Sequence, residues 1–147
     1  SGSVAMSADG NTVIIGGSGN DGSGLDSGHA RIFRYDGSTW NQLGQDIDGT
    51  DAGDHFGWHV AMSSDGTTVI IGAPEHDDRA GHAQVYRYNG SGWNQVGGDI
   101  DGEAAGDLSA ESVEINSDGS VVIIGAPLNS DNGTYAGHAR VYRFGGI

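Results

Sequence analysis

An internal repeat constrains this chain more than any other feature. The segment Val4–Gly16 returns almost unchanged at Val60–Gly72 and, more diverged, at Val113–Gly125, so that successive copies lie 56 and 53 residues apart. A second segment, Gly28–Tyr35, also occurs three times. Self-similarity at a period of about 50 residues indicates a repeat architecture, in which units bury their faces against their neighbours.

Each repeat unit shows the pattern of four short strands. Asp65-Gly66 and Asn89-Gly90 are hairpin turn signals between apolar segments. The run after the first turn is continuously apolar, as expected of a strand buried on both faces. Four antiparallel strands in about 50 residues are typical of a β-propeller blade. The strands of the middle unit are predicted at 60–63, 68–71, 82–88 and 93–96.

The predicted fold is therefore all-β: a single repeat domain over residues 1–147 that forms a β-propeller of three four-stranded antiparallel blades. The last blade lacks its outer strand, because no tryptophan-containing segment follows its third strand, so eleven strands are expected. Propellers have about four to eight blades, so we expect oligomerisation to complete the ring. A homodimer would supply six blades, and a homotrimer with nine is the alternative. The blades are predicted at about 3–47, 56–100 and 109–147.

The charge balance limits the partners of the chain. It has 20 Asp and Glu residues against six Lys and Arg, which gives a formal net charge of −14. Nucleic acids and anionic membrane surfaces are bound through Lys and Arg, so neither is expected as a partner. No apolar run is long enough to span a bilayer. The absence of cysteine excludes disulfides and thiolate metal sites.

Two short motifs resemble the FG-GAP repeat of the integrin α-chain propeller and its relatives. In the middle unit Phe56-Gly57 is followed by Gly72-Ala73-Pro74. The third unit keeps Gly125-Ala126-Pro127 but has Ser109-Ala110 in place of Phe-Gly. The resemblance implies a propeller that binds ligands or proteins, and it favours an extracellular location.

Relatives of this kind often bind Ca²⁺ through an Asp-x-Asp-x-Asp-Gly hairpin between the first two strands. Here the corresponding hairpins, 7–12, 63–68 and 116–121, contain one Asp each. Calcium requires six to eight oxygen ligands, so we predict that calcium sites of that type are absent.

The remaining acidic cluster lies in the segment that joins one blade to the next. Alternate carboxylates followed by glycine allow a loop to place its oxygens around one hard cation, and Ca²⁺ is the cofactor that would suit them. The alternative is an Asp-rich turn in which carboxylates accept backbone hydrogen bonds, with no cofactor required. The candidate ligands are Asp46, Asp48, Asp51 and Asp54 in the first copy of this segment, and Asp99, Asp101, Glu103 and Asp107 in the second.

Other residues recur at matched positions and are interpreted as structural. Equivalent residues of neighbouring sheets are about 10 Å apart, so the three repeated histidines cannot share one zinc ion. The repeated tryptophans are expected to pack between blades, with sugar stacking as the alternative. The repeated arginines are expected to pair with Asp residues, in part between blades. These sets are His29, His82 and His138; Trp40 and Trp93; and Arg34, Arg87 and Arg143.

The sequence favours a non-catalytic scaffold or binding module that assembles with itself. It contains no nucleophile elbow, phosphate-binding loop or HExxH motif, so we do not expect an enzyme. The alternative function is an extracellular, cation-dependent adhesion or carbohydrate-binding propeller. Near-identical units also fit a recent duplication, an excised fragment or a designed protein, and the identity of a protein or glycan ligand is open.

Overall fold

The computed structural model describes residues 2–144, which form thirteen β-strands and one short helix. The strands make three antiparallel sheets, named sheet 1, sheet 2 and sheet 3 in chain order, and the all-β prediction is confirmed. Ser1 and residues 145–147, at the ends of the predicted domain, lie outside the described residues.

Sheet 1 contains β1 (Val4–Met6), β2 (Thr12–Gly17), β3 (His29–Tyr35), β4 (Trp40–Gln42) and β5 (Ile47–Asp48). Sheet 2 contains β6 (His59–Met62), β7 (Thr68–Ala73), β8 (His82–Tyr88), β9 (Trp93–Gln95) and β10 (Ile100–Asp101). Sheet 3 contains β11 (Ser112–Ile115), β12 (Val121–Ala126) and β13 (His138–Arg143).

The helix α1 (His76–Arg79) is a short irregular segment between β7 and β8. Within it Asp77 and Asp78 have φ angles of +50° and +53°. These values lie in the left-handed region, which Asp tolerates better than most residues. Across residues 2–144, no helix is both long and apolar enough to cross a membrane.

Each sheet begins with a tight hairpin that an Asp-Gly pair closes. In sheet 2, Asp65 Oδ1 accepts hydrogen bonds from the Thr67 N–H (2.9 Å) and the Ser63 hydroxyl (2.8 Å). Gly66 follows with a φ of +73°, a conformation that glycine adopts without strain. The local sequence therefore fixes the pairing of β6 with β7.

Sheets 1 and 2 each contain a fifth strand that the sequence pattern did not reveal. In β5, Ile47 lies opposite Ala30, and in β10 Ile100 lies opposite Ala83. The prediction of four-stranded blades and eleven strands was wrong in this respect. A two-residue strand between acidic residues is too short to show the period-two pattern of a strand.

The sheets stack face to face through two apolar cores. Ile14 and Ile32 of sheet 1 share one core with Val60, Met62 and Ile71 of sheet 2. The opposite face of sheet 2 packs on sheet 3 in the same way. The second core includes Ala61, Ile70, Ala83 and Val85 of sheet 2 and Val113, Ile115, Val122 and Ile124 of sheet 3.

A ladder of hydrogen bonds joins the hairpin turns of the three sheets. The Ala8 N–H donates to the Ser64 carbonyl (2.8 Å), and the Ser64 N–H donates to the Ser117 carbonyl (2.9 Å). These residues occupy equivalent repeat positions, and the first strands β1, β6 and β11 lie next to one another. The ladder is directional, because each sheet donates to the sheet that follows it.

Two of the repeated arginines, Arg34 and Arg87, form side-chain hydrogen bonds within their own sheets. The Nε of Arg34 donates to Thr12 Oγ1, and the Nε of Arg87 donates to Thr68 Oγ1, both at 3.3 Å. In each case the Thr lies directly opposite the Arg on the neighbouring strand. For these two residues the structure shows a cross-strand Thr as the hydrogen-bond partner in place of the predicted Asp.

Candidate functional site

The Phe-Gly motif lies where sheet 2 meets sheet 1. The Phe56 N–H donates to the Ser27 carbonyl of sheet 1's long loop (3.1 Å), and the Gly57 N–H donates to the Gly72 carbonyl of sheet 2 (3.0 Å). The Phe56 side chain is buried. A Cβ on Gly57 would lie 2.4 Å from the His29 carbonyl oxygen, so this position requires glycine. The motif therefore connects two sheets through backbone bonds that depend on close approach.

Ser109-Ala110 makes the same connection between sheets 2 and 3. The Ser109 N–H donates to the Ala80 carbonyl, and the Ala110 N–H donates to the Gly125 carbonyl, both at 3.0 Å. Ala110 adopts a φ of +68°, where an alanine is strained. The divergent motif thus keeps the two backbone hydrogen bonds between sheets, but its alanine adopts a strained backbone conformation. In the Gly-Ala-Pro motifs, Gly72, Ala73, Pro74 and Ala126 are buried, Gly125 is partly buried and Pro127 is exposed.

The two repeated tryptophans lie in different environments. Trp93 is 3% exposed, and its Nε1 donates to the Leu43 carbonyl of sheet 1 at 2.8 Å. Gln45 binds the backbone of Trp93 twice, by donating to its carbonyl (2.8 Å) and accepting from its N–H (3.1 Å). Trp40 is 48% exposed and contacts Tyr35 of its own sheet. Trp93 therefore joins two sheets, whereas Trp40 lies on an open face.

The acidic segments are positioned by the short strands β5 and β10. Asp48 lies directly opposite His29, and Asp101 lies directly opposite His82. Alternate residues of a strand share one face, so Asp-Ile-Asp directs both carboxylates towards the histidine and the isoleucine away from it. The structure accordingly groups His29 with Asp46 and Asp48, and groups His82 with Asp99 and Asp101.

The other candidate ligands belong to different groups. The Asp54 carboxylate accepts from His76 Nδ1 (2.8 Å), and the Asp107 carboxylate accepts from Asn129 (2.9 Å) at the equivalent position. Glu103 lies with Asp131 and His138, and Asp51 lines an acidic cleft with Asp54, Glu75, Asp77 and Asp78. Among the described residues the four carboxylates of one segment are therefore divided among different groups, and only the first two of each segment lie together. The short strand separates them into groups on different neighbours.

His82 is the most unusual polar group of these clusters. Its side chain is 3% exposed, and its Nδ1 has no hydrogen-bond partner among the described residues. Nδ1 faces Asp99 Oδ2 at 3.8 Å and Asp101 Oδ1 at 3.9 Å. The His76 ring stacks on the His82 ring with centroids 3.9 Å apart. Burial, followed by the neighbouring His76, lowers the pKa of His82, which favours the neutral imidazole.

The clusters of sheets 1 and 2 differ in one charged residue. In sheet 1, Arg31 forms an ion pair with Asp46 at 3.0 Å, and this bond, together with one from Gln42, lowers the pKa of Asp46. In sheet 2 the equivalent of Arg31 is Gln84, which donates to Asp99 Oδ1 at 2.8 Å. Asp99, near His82, therefore accepts from two amides, whereas Asp46, near His29, accepts from one amide and a guanidinium.

Burial raises the pKa of Asp99, but hydrogen bonds from Gln95 and Gln84 outweigh this effect, so its pKa lies below the ordinary value. Both bonds go to Oδ1. Asp99 is consequently held ionised, with Oδ2 directed towards His82.

Three histidines that showed no repeat pattern also connect parts of the fold. His59 Nδ1 accepts from the Val113 N–H at 2.9 Å, and His55 Nδ1 lies 3.1 Å from the Ser18 carbonyl. His76, described above, occupies the position that Asn129 has in sheet 3. Comparison of the repeat units shows that His76 stands where the other two units have asparagine. Its contact with His82 depends on the loop conformation and could not be predicted from the sequence.

Comparison with known proteins agrees with this architecture. The Kuenenia stuttgartiensis hydrazine synthase has a similar fold (TM-score 0.58, 12% identity), and the match covers 97% of this chain and 44% of that one. A Bacteroides uniformis protein provisionally assigned as a 6-phosphogluconolactonase is also similar (TM-score 0.51, 16% identity, 98% and 41% coverage). The chain thus spans less than half the length of either structure, and at these identities only the fold is shared.

No curated protein matches the sequence. A sequence model described as "FG-GAP repeat" matches residues 36–86, which include the Phe-Gly and Gly-Ala-Pro motifs of the middle unit. The resemblance to FG-GAP repeats is therefore confirmed for residues 36–86, about a third of the chain.

Proposed function

We propose that this chain is a non-catalytic β-propeller scaffold and binding module that completes its ring by self-association. One observation carries the proposal. The outer faces of sheets 1 and 3 expose the same repeat positions that are buried between sheets in the interior. We count each sheet as one blade.

The open face of sheet 1 is named the head face. It presents Val4 (73% exposed), Met6 (64% exposed) and Ile15 to solvent. The equivalent residues of sheet 2, which are Val60, Met62 and Ile71, are buried against sheet 1. Exposed Tyr35 and Trp40 extend the same face. A contiguous apolar surface of this kind favours association.

The open face of sheet 3 is named the tail face. It presents Ile123 (43% exposed) and Val141 (64% exposed), which are paired across β12 and β13. Their equivalents, Ile70 and Val85, are buried between sheets 2 and 3. In sheet 1 the equivalent pair, Ile14 and Ile32, packs on the residues that match the head face. The internal interface is therefore a template for the contact of a tail face with a head face.

Two copies joined head to tail would form two identical interfaces about a twofold axis and supply six blades, within the usual range. The directional ladder of Ala8, Ser64 and Ser117 would continue across each new interface in the same sense. Three copies would give nine blades. We therefore favour a homodimer, with the trimer as its alternative.

One residue of the tail face opposes this association. Glu114 is exposed at the position that Ala61 and Ala5 occupy in the other sheets. Burying its carboxylate without a partner would cost free energy. We expect the dimer to be weaker than the internal interfaces suggest.

We further propose that ligands bind where the loop between β5 and β6 meets the loop between β7 and β8. The cleft lined by Asp51, Asp54, Glu75, Asp77 and Asp78 carries five carboxylates, with Arg79 at its edge. Its field attracts cationic groups and repels anionic ones. Because these residues lie in loops on a regular scaffold, they can vary without disturbing the sheets.

The mass of the assembly tests the proposal. Native mass spectrometry and light scattering, at micromolar to millimolar chain concentration, should detect a species of twice the 15.0 kDa chain mass. Met6→Glu on the head face should abolish it, whereas Glu114→Ala should strengthen it. Leu25→Glu is the matched control, because Leu25 is equally exposed but lies in a loop between β2 and β3.

A folded monomer over the whole concentration range would overturn the assembly proposal. So would an oligomer that persists in Met6→Glu and is disrupted by Leu25→Glu. A mass of three chains would favour the nine-bladed alternative.

A further inference from the structure

The buried nitrogen of His82 indicates a binding site that the assembly proposal does not use. Its separations from Asp99 and Asp101, 3.8 and 3.9 Å, are too long for hydrogen bonds. A buried polar atom without a partner costs free energy, and such atoms in native proteins call for an explanation. Here the nitrogen is directed at two carboxylates, and an interposed ion would satisfy all three groups.

The spacing suits a small divalent metal. Zinc binds imidazole nitrogen at about 2.0–2.1 Å and carboxylate oxygen at about 2.0–2.2 Å, usually in tetrahedral geometry. Ligand atoms around such an ion are therefore about 3.4 Å apart. The separations from His82 Nδ1 exceed this value by a few tenths of an ångström, and the Asp99 and Asp101 side chains are 42% and 67% exposed, so small rotations of the carboxylates can bring them closer. The buried imidazole would be the fixed ligand.

The strand register makes this arrangement a feature of the fold. The pairing of Asp101 with His82 in β10 and β8 fixes one carboxylate beside the ring. Asp99, two residues earlier, lies on the same side and is oriented by Gln84 and Gln95. These amides act as the outer hydrogen-bond partners that commonly orient metal ligands. On the other side, the His76 ring, held by Asp54, stacks on His82.

Charge distinguishes this cluster from its repeat in sheet 1. Arg31 already neutralises Asp46 there, and a metal ion would have to compete with the guanidinium. In sheet 2, Gln84 bonds Asp99 without neutralising it, and the nearby Arg140 donates to the Asp101 backbone carbonyl (2.7 Å) and to Glu103 rather than to either carboxylate of the cluster. Of the two equivalent clusters, we therefore expect the one in sheet 2 to bind a cation more tightly.

We propose that His82, Asp99 and Asp101 bind a divalent transition metal of the zinc class, with His82 Nδ1 and one oxygen of each carboxylate as ligands. The imidazole favours such a metal over Ca²⁺, which binds oxygen atoms. The remaining coordination position is open to water or to a ligand. This site does not depend on ring closure, because all of its residues belong to sheet 2.

Zinc titration of the full chain, followed by calorimetry and by competition with a chromophoric chelator, tests the proposal. We expect one zinc ion per chain at the strongest site. Asp101→Asn, at a mostly exposed position, should weaken this binding at least about tenfold. Gln84→Arg, which introduces the residue found in sheet 1, should abolish zinc binding. Asp48→Asn is the matched control in sheet 1 and should leave the affinity unchanged.

Two further measurements show whether each variant is folded and whether zinc binds at His82. Circular dichroism should show that each variant is folded, and the ring ¹⁵N resonances of His82 should shift on zinc addition. Failure of the folded chain to bind zinc would overturn the proposal. Equal weakening by Asp48→Asn, loss on Asp131→Asn instead, or displacement by an equal concentration of Ca²⁺ would do so as well. None of these results would affect the assembly proposal, which the chain mass tests.

Discussion

Sheets 1 and 2 have nearly the same sequence but very different surroundings. Between residues 28–54 and 81–107, 18 of 27 positions are identical. Trp93 is nevertheless buried against sheet 1, whereas Trp40 is exposed. Met62 and Met6 differ in the same way. Local sequence therefore determines the shape of each sheet, and the position of the sheet in the stack determines which side chains contribute to stability.

The largest expected difference concerns the two tryptophans. Trp93→Ala should lower the free energy of unfolding by about 3–5 kcal/mol, because it leaves a cavity between two sheets and removes the bond to Leu43. Trp40→Ala should cost less than about 1 kcal/mol in the monomer. Urea unfolding followed by circular dichroism, at concentrations where the chain is monomeric, measures both. Equal losses would contradict the buried-versus-open distinction.

The Phe-Gly position provides the second comparison. Gly57→Ala should destabilise the chain by about 1–3 kcal/mol, since its Cβ meets a backbone oxygen and its φ is +90°. Ala110→Gly should change stability by less than about 1 kcal/mol, because relief of strain offsets the loss of a buried methyl group. Thermal unfolding of both variants tests this. A stable Gly57→Ala variant would show that the close approach to His29 is not required.

The smallest effect is expected for a single methyl group. Ile70→Val, in the buried interface of sheets 2 and 3, should cost about 0.5–1.5 kcal/mol. Ile123→Val, at the equivalent position of the tail face, should be nearly neutral at low chain concentration. If the chains associate, its effect should grow with concentration. An effect of Ile123→Val that is large and independent of concentration would argue against an open tail face.

The sequence predicted much of the fold correctly. The third strand of the middle unit, His82–Tyr88, was predicted with the bounds that the structure shows, because its alternation is strong and an Asn-Gly turn follows it. The repeat, the Asp-Gly hairpins and the all-β class also follow from local patterns. The short strands β5 and β10 could not be predicted, since two residues do not establish a period.

The candidate site was only partly visible in the sequence. Asp99, Asp101 and His82 were each identified, but they were assigned to different roles, because the carboxylates lie 17 and 19 residues from the histidine in sequence. The pairing of Asp101 with His82 is a tertiary fact that no local pattern contains. His76 was not predicted to contribute, because its contact with His82 depends on the irregular segment α1.

The sequence by itself determined that this chain repeats a small antiparallel sheet three times, because strand alternation and hairpin turns are local properties. It also determined the strongly acidic surface and the FG-GAP motifs that connect the units. Tertiary structure alone decided which of several equivalent residues are buried and which carboxylates face a histidine. Burial and charge compensation depend on neighbours that lie far away in sequence. Repeated segments of the same sequence therefore contribute unequally to the free energy of unfolding.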